Sequence, residues 1–135
     1  GEIHSLHIGI QRNSNTLKLF DTAHQSGMKY ILADEIFYEN LPEIYQKIDE
    51  LIFSVDQLYL TICMDVFNAA IAPGVSATAY NGIFADATFL HFYRHILKSE
   101  KLIALDVAEV NPEFDIAERT ARLAASLVNE WFMIS

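Results

Sequence analysis

The chain has 135 residues, enough for one domain around one core, and 52% of them are hydrophobic, with a mean hydropathy of +0.19. A formal net charge of −9 argues against nucleic acid or anionic membrane as partners, and a single cysteine, Cys63, excludes an internal disulfide and fits a reducing compartment. Asp56 and Asp65 interrupt the best candidate for a membrane span and no signal peptide is visible, so a cytoplasmic protein is expected.

In chain order, residues 2–10 (EIHSLHIGI) read as a strand. Asn13 and Ser14 offer caps for a helix carrying Leu17, Phe20 and Ala23 at helical spacing, closed by Gly27. Lys29 to Ala33 is a short strand. Pro42 suits a first helical turn, and Leu41, Ile44, Tyr45, Ile48, Leu51 and Ile52 form an apolar stripe behind it. Gln57 to Met64 is the third strand. Phe89, Leu90, Tyr93, Ile96 and Leu97 mark a helix, and Leu102 to Val107 a fourth strand. Asp115 and Glu118 form a candidate capping pair for a last helix with Ala117, Ala121, Ala124, Val128 and Trp131 on one face. Strand followed by helix, four times with short connections, demands a parallel sheet with helical crossovers: an α/β fold layered α/β/α.

One connection is long. Residues 67–82, FNAAIAPGVSATAYNG, separate the third strand from its helix. Ligands of parallel α/β sheets bind beyond the carboxyl ends of the strands, and long loops there are usually functional. Asp65 stands at that end. Alternation along a strand would point Cys63 and Asp65 the same way, one thiol and one carboxylate. The next strand also ends in acid, with Glu109 just beyond it in LDVAEVNP. Two acids at two strand ends on one rim are the raw material of a metal-hydrolase site, although Asp65 and Asp106 could equally be solvated or paired with Arg119 or Arg122. His91 and His95 lie one helical turn apart without the glutamate of a zincin between them, and read as a surface pair. His4 and His7 fall on opposite faces of a strand.

The segment TICMDVFNAAIAPGVSA resembles the third signature of the arginase/ureohydrolase family, Ser-x-Asp-x-Asp followed by Ala-Pro-Gly, and ALDVAEVNP resembles that family's closing strand motif. The end segments HIGIQRNSNTLKLFDTAH and EVNPEFDIAERTARLAASLVNEWF are most similar to the family branch that acts in histidine degradation. The resemblance covers nearly the whole chain but only the C-terminal part of such an enzyme, so residues 1–135 are expected to be the C-terminal portion of a single ureohydrolase domain with its N-terminal half absent.

The resemblance implies hydrolysis of a carbon–nitrogen bond in a linear amidine or guanidine, with two manganese ions that lower the pKa of a bridging water. It implies that Asp65 is a metal ligand and that Glu109 holds the cationic nitrogen group of a small-molecule substrate. Cys63 stands where the family has the first aspartate of the pair, so it would be the other metal ligand in this chain, a softer one-donor group that weakens manganese. Thr61, Asn68 and Thr78 also depart from the family pattern, mildly. The Gly-Gly-x-His and Asp-Ala-His-x-Asp stretches that carry the remaining ligands are missing, and Phe20-Asp21-Thr22-Ala23-His24 has the wrong spacing to replace them. The chain alone is therefore expected to lack activity. Branches acting on agmatine or arginine, and a non-catalytic remnant, are the competing readings. An unpaired apolar edge is expected to make the chain oligomerise or associate with the missing half.

Overall fold

The computed structural model describes residues 4–11 and 28–134; the expected first helix and His24 lie outside the described residues. Among the described residues, four strands and three α-helices follow one another as β1 (Leu6–Ile10), β2 (Lys29–Leu32), α1 (Leu41–Ser54), β3 (Leu58–Cys63), α2 (Ala87–Leu97), β4 (Leu102–Ala108) and α3 (Arg119–Ile134). The parallel α/β architecture is as the sequence pattern requires. The strands do not form one sheet: β1 pairs only with β2 and β3 only with β4 among the described residues, both pairs parallel. Each pair has one register shift, between Ile8 and Ile10 in the first and between Leu58 and Tyr59 in the second.

Helix α1 begins with Pro42 in its first turn and buries Leu41, Ile44 and Ile48, three residues of the predicted stripe. Each contributes about 1.5–3 kcal/mol relative to exposure. Its last turn is closed by the Lys101 ammonium, which donates to the Ile52 carbonyl at 2.6 Å. Helix α2 starts where Asp86 Oδ1 accepts from the Phe89 amide at 3.1 Å. Phe89 then centres an aromatic group, edge-on to Phe67 and Phe92 and stacked on Tyr93, with ring centroids 5.2–5.3 Å apart. Burial raises the Tyr93 phenol, its hydroxyl donating at 2.5 Å to the Leu127 carbonyl of α3. Arg94 makes a two-pronged contact with Glu130, both bonds 2.9 Å, and His95 Nε2 meets Asp49 at 2.6 Å. So α2 is tied to α3 on one side and to α1 on the other, and His95 serves this join.

Helix α3 corrects the sequence reading of its start. Ala117 and Glu118 both have positive φ, 51° and 57°, so Glu118 cannot be the third helical residue of a capping box. Asp115 does the capping alone, accepting from the amides of Ile116, Thr120 and Ala121 at 2.9–3.2 Å. The helix buries Thr120, Ala124 and Leu127, and Ala117 and Ala121 of the expected face are exposed.

A candidate acidic rim at the ends of β3 and β4

The segment after β3 is ordered, not structureless. Phe67 bridges Ile83 and Asn68 bridges Ala79, while Phe67, Ala72 and Val75 are fully buried. The Asn68 side chain steadies the turn, donating to the Tyr80 carbonyl at 2.8 Å and accepting from the Ala70 amide at 3.0 Å. Gly82 passes so close that a Cβ there would lie 2.6 Å from the backbone carbon of Phe67.

The Ala-Pro-Gly turn is clamped to the segment that follows β4. The Gly74 amide donates to the Thr120 hydroxyl at 2.8 Å, and its carbonyl accepts from the Asn111 amide at 2.6 Å. A Cβ on Gly74 would sit 2.6 Å from Asp115 Cγ, which is why glycine is required. Asn111 adds a bond from its side chain to the Ser76 hydroxyl at 3.2 Å and caps the single turn Pro112–Phe114. The two sequence segments that carry the family resemblance are thus bonded to each other, and sequence gave no sign of Thr120 and Asn111 as the residues that do it.

The clamp fixes the rim. Cys63 is the last residue of β3 and lies opposite Ala108 in register, so the chain leaves both strands at one end of the pair. Asp65 falls in the single turn Met64–Val66, between fully buried Met64 and half-buried Val66. Strand alternation therefore stops at Cys63, and it does not set how Asp65 points relative to the thiol. Glu109 follows β4 directly, exposed, with φ of 72°. A bulky non-glycine residue in the left-handed region stores strain of order 1–3 kcal/mol, which structures retain mostly at sites of function.

The rim is acidic enough that its groups perturb one another. Partial burial raises the Asp65 carboxyl, and the nearby Glu109 charge raises it further. The Cys63 thiol is raised by burial first and then by Asp65, Glu109 and Asp106, so it stays protonated while no cation is present. Neither Asp65 nor Glu109 forms an ion pair with a described cation. Asp106 is not paired with Arg119 or Arg122. It accepts a short hydrogen bond from the Tyr59 hydroxyl, and Arg122 leans instead toward Glu118 at 3.8 Å.

Beside this rim runs a groove of about 1480 Å³. Residues 4–11 and 57–63 form its sides, Phe89, Phe92, Tyr93 and Ile96 of α2 line it, and Asp65 and Cys63 stand among its lining residues. A pair of manganese ions does not fit what is present: among the described residues no three His, Cys, Asp or Glu side chains converge on a common point. One carboxylate and one thiol are too few donors to hold two hard, strongly hydrated cations. No described helix is long and apolar enough to cross a membrane.

Two acids thus stand at neighbouring strand ends beside a clamped Ala-Pro-Gly turn of an α/β fold, and the family follows from comparison. The arginase family model matches residues 2–134, and the chain belongs to that family. It is 45% identical over 124 residues to formimidoylglutamase of Staphylococcus carnosus, covering 92% of this chain and 40% of the relative. It is 41% identical over 121 residues to formimidoylglutamase of Clostridium tetani, covering 90% and 36%. The chain thus spans about two fifths of the length of these relatives. The solved structure of formimidoylglutamase from Bacillus subtilis superposes with a TM-score of 0.86 at 23% identity, over 95% of this chain and 40% of that one. The arginase of Bacillus caldovelox gives 0.77 at 20% identity, over 94% and 42%. Both show the arginase fold, of which this chain holds a part.

Proposed function

We propose that the chain is the C-terminal portion of a formimidoylglutamase, an enzyme of histidine degradation in the cytoplasm. The complete enzyme hydrolyses N-formimidoyl-L-glutamate to L-glutamate and formamide: water adds its oxygen to the amidine carbon, and the bond from that carbon to the glutamate nitrogen breaks. The observation that carries the reading is the 45% identity to a formimidoylglutamase across nearly the whole chain, with Asp65 and Glu109 side by side at the ends of two parallel strands. Glu109, exposed and without an ion-pair partner among the described residues, suits the cationic amidinium of the substrate, because a carboxylate pairs with such a group through charge-assisted hydrogen bonds. Asp65 offers a hard oxygen donor to a manganese ion, and Cys63 a poor one. No described residue supplies the remaining donors, and in this reading they come from the complementary part of the enzyme, without which the chain is inactive.

The test is formamide release together with metal analysis. The chain is assayed alone and co-expressed with the part of the Staphylococcus carnosus enzyme that lies outside its match to this chain. Formimidoylglutamate, agmatine and arginine are offered separately. Release from formimidoylglutamate by the combination only is the expected result. Release of urea from arginine or agmatine would move the chain to another branch of the family.

A further inference from the structure

The turn beyond the Ala-Pro-Gly segment carries a reactive pair, because Asn81 alone among the chain's asparagines precedes a glycine. Residues 79–82 form this turn, closed by the Gly82 amide, which donates to the Ala79 carbonyl over a long 3.3 Å. Asn81 stands exposed at its tip. Packing fixes the glycine, since a Cβ there would lie 2.6 Å from the backbone carbon of Phe67. With no side chain to shield it, the Gly82 nitrogen can approach the carboxamide carbon of the residue before it. The other described asparagines are guarded. Asn40 and Asn68 donate from their carboxamides to the Glu35 and Tyr80 carbonyls at 2.7 and 2.8 Å. Asn111 precedes Pro112, which has no amide hydrogen to lose. Asn129 lies inside α3, where the amide of Glu130 belongs to the helix ladder.

From this geometry we infer that Asn81 is a site of spontaneous deamidation, and that its isoaspartyl product loosens the segment behind the acidic rim. The Gly82 nitrogen gives its proton to solvent and bonds to Asn81 Cγ; the Cγ–Nδ2 bond breaks, ammonia leaves, and a succinimide ring remains. Water then opens the ring. Opening at the former side-chain carbonyl gives aspartate, and opening at the main-chain carbonyl gives isoaspartate. The turn slows the first step, because the Gly82 bond must open, but one such bond retards it by about tenfold at most. Aspartate keeps the backbone path and adds one negative charge. Isoaspartate instead lengthens the backbone by one bond of about 1.5 Å. The turn cannot absorb that length freely, because both its ends are bonded to the stretch after β3. The Ala79 carbonyl accepts from the Ala69 amide at 2.8 Å, and the Ile83 carbonyl from the Asn68 amide at 2.7 Å. The Ile83 amide donates to the Val66 carbonyl at 3.1 Å, directly after Asp65. The modification is independent of the proposed activity.

The full chain is incubated at mildly alkaline pH, and peptide mapping by mass spectrometry follows each asparagine, with a synthetic peptide of residues 77–85 as the unfolded reference. Asn81 should deamidate faster than Asn40, Asn68, Asn111 and Asn129, and within about tenfold of the peptide. Asn81→Gln should abolish the modification. The isoaspartyl form, separated by chromatography, should exchange its Asn68 and Ile83 amides faster than the unmodified chain, whereas Asn81→Asp should exchange them at the unmodified rate. An Asn81 that stays intact while the peptide reacts, or faster reaction at another described asparagine, overturns the site. An isoaspartyl form that protects Asn68 and Ile83 as well as the unmodified chain does overturns its effect on the segment behind the rim.

Discussion

Replacing Thr120 by valine tests the clamp that holds the Ala-Pro-Gly turn against the residues after β4. Thr120 is fully buried, and its hydroxyl accepts from the Gly74 amide at 2.8 Å. Valine keeps the shape and deletes the acceptor, so a buried N–H is left without a partner, at a cost of about 1–3 kcal/mol. The extra buried methyl returns up to about 0.8 kcal/mol. A net loss of about 1–2 kcal/mol is expected, or roughly 3–8 °C in Tm. Urea unfolding followed by circular dichroism reads the loss, and amide exchange reads its cause. Thr120→Val should speed exchange at Gly74, whereas Thr120→Ser, which keeps the hydroxyl, should leave that amide protected. A valine variant within about 0.5 kcal/mol of the unmodified chain, with Gly74 still protected, would refute the clamp.

Other consequences follow from the same geometry. The Asp115 carboxyl is raised somewhat by desolvation but lowered on balance by bonds from the Thr120, Ala121 and Ile116 amides and the Thr120 hydroxyl. A carboxylate depressed by folding adds stability above its ordinary pKa and loses it as pH falls through the folded value, so stability should drop below about pH 4, and Asp115→Asn should flatten that part of the urea-midpoint profile. Gly9 combines φ of 91° with contact against the Val66 side chain, so Gly9→Ala should destabilise by more than about 1 kcal/mol in urea titration. The Arg94–Glu130 pair is half-exposed, and Arg94→Met should move the urea midpoint only slightly by the same measurement. Cys63→Asp should not give the chain two manganese ions by elemental analysis, because a single added carboxylate leaves the donor set short.

Much of the layering was legible because it rests on period. The 3.6-residue stripe of α1 and the continuous apolar runs of β3 and β4 allow few alternatives, and these elements form within a residue or two of where the pattern puts them. The start of α3 was not legible. Asp115 and Glu118 satisfy a capping box on paper, but the contact of Asp115 with Gly74, over forty residues away in sequence, pulls the cap out of helical spacing and leaves Ala117 and Glu118 in the left-handed region. The 67–82 loop shows the same limit, since its order comes from bridges and buried side chains that no local signal announces. At the rim, sequence located Asp65 and Glu109 at neighbouring strand ends, and the paired register puts them there. Alternation does not bear on Cys63 and Asp65, because a turn replaces the strand between them. A periodic pattern also could not reveal the split between the two strand pairs, because each strand carries the same signature whether its second edge is filled or open.

In the proposed function this chain is one part of a formimidoyl-group hydrolase that cannot act without the other. The most direct measurement is formamide release from N-formimidoyl-L-glutamate, with manganese supplied, by the chain alone and by the chain joined to the unmatched part of the Staphylococcus carnosus enzyme. The account predicts no release from the chain alone, release from the joined parts, and loss of that release with Asp65→Ala or Glu109→Gln. Turnover by the unaccompanied chain, or joined parts whose activity survives both substitutions, would contradict it.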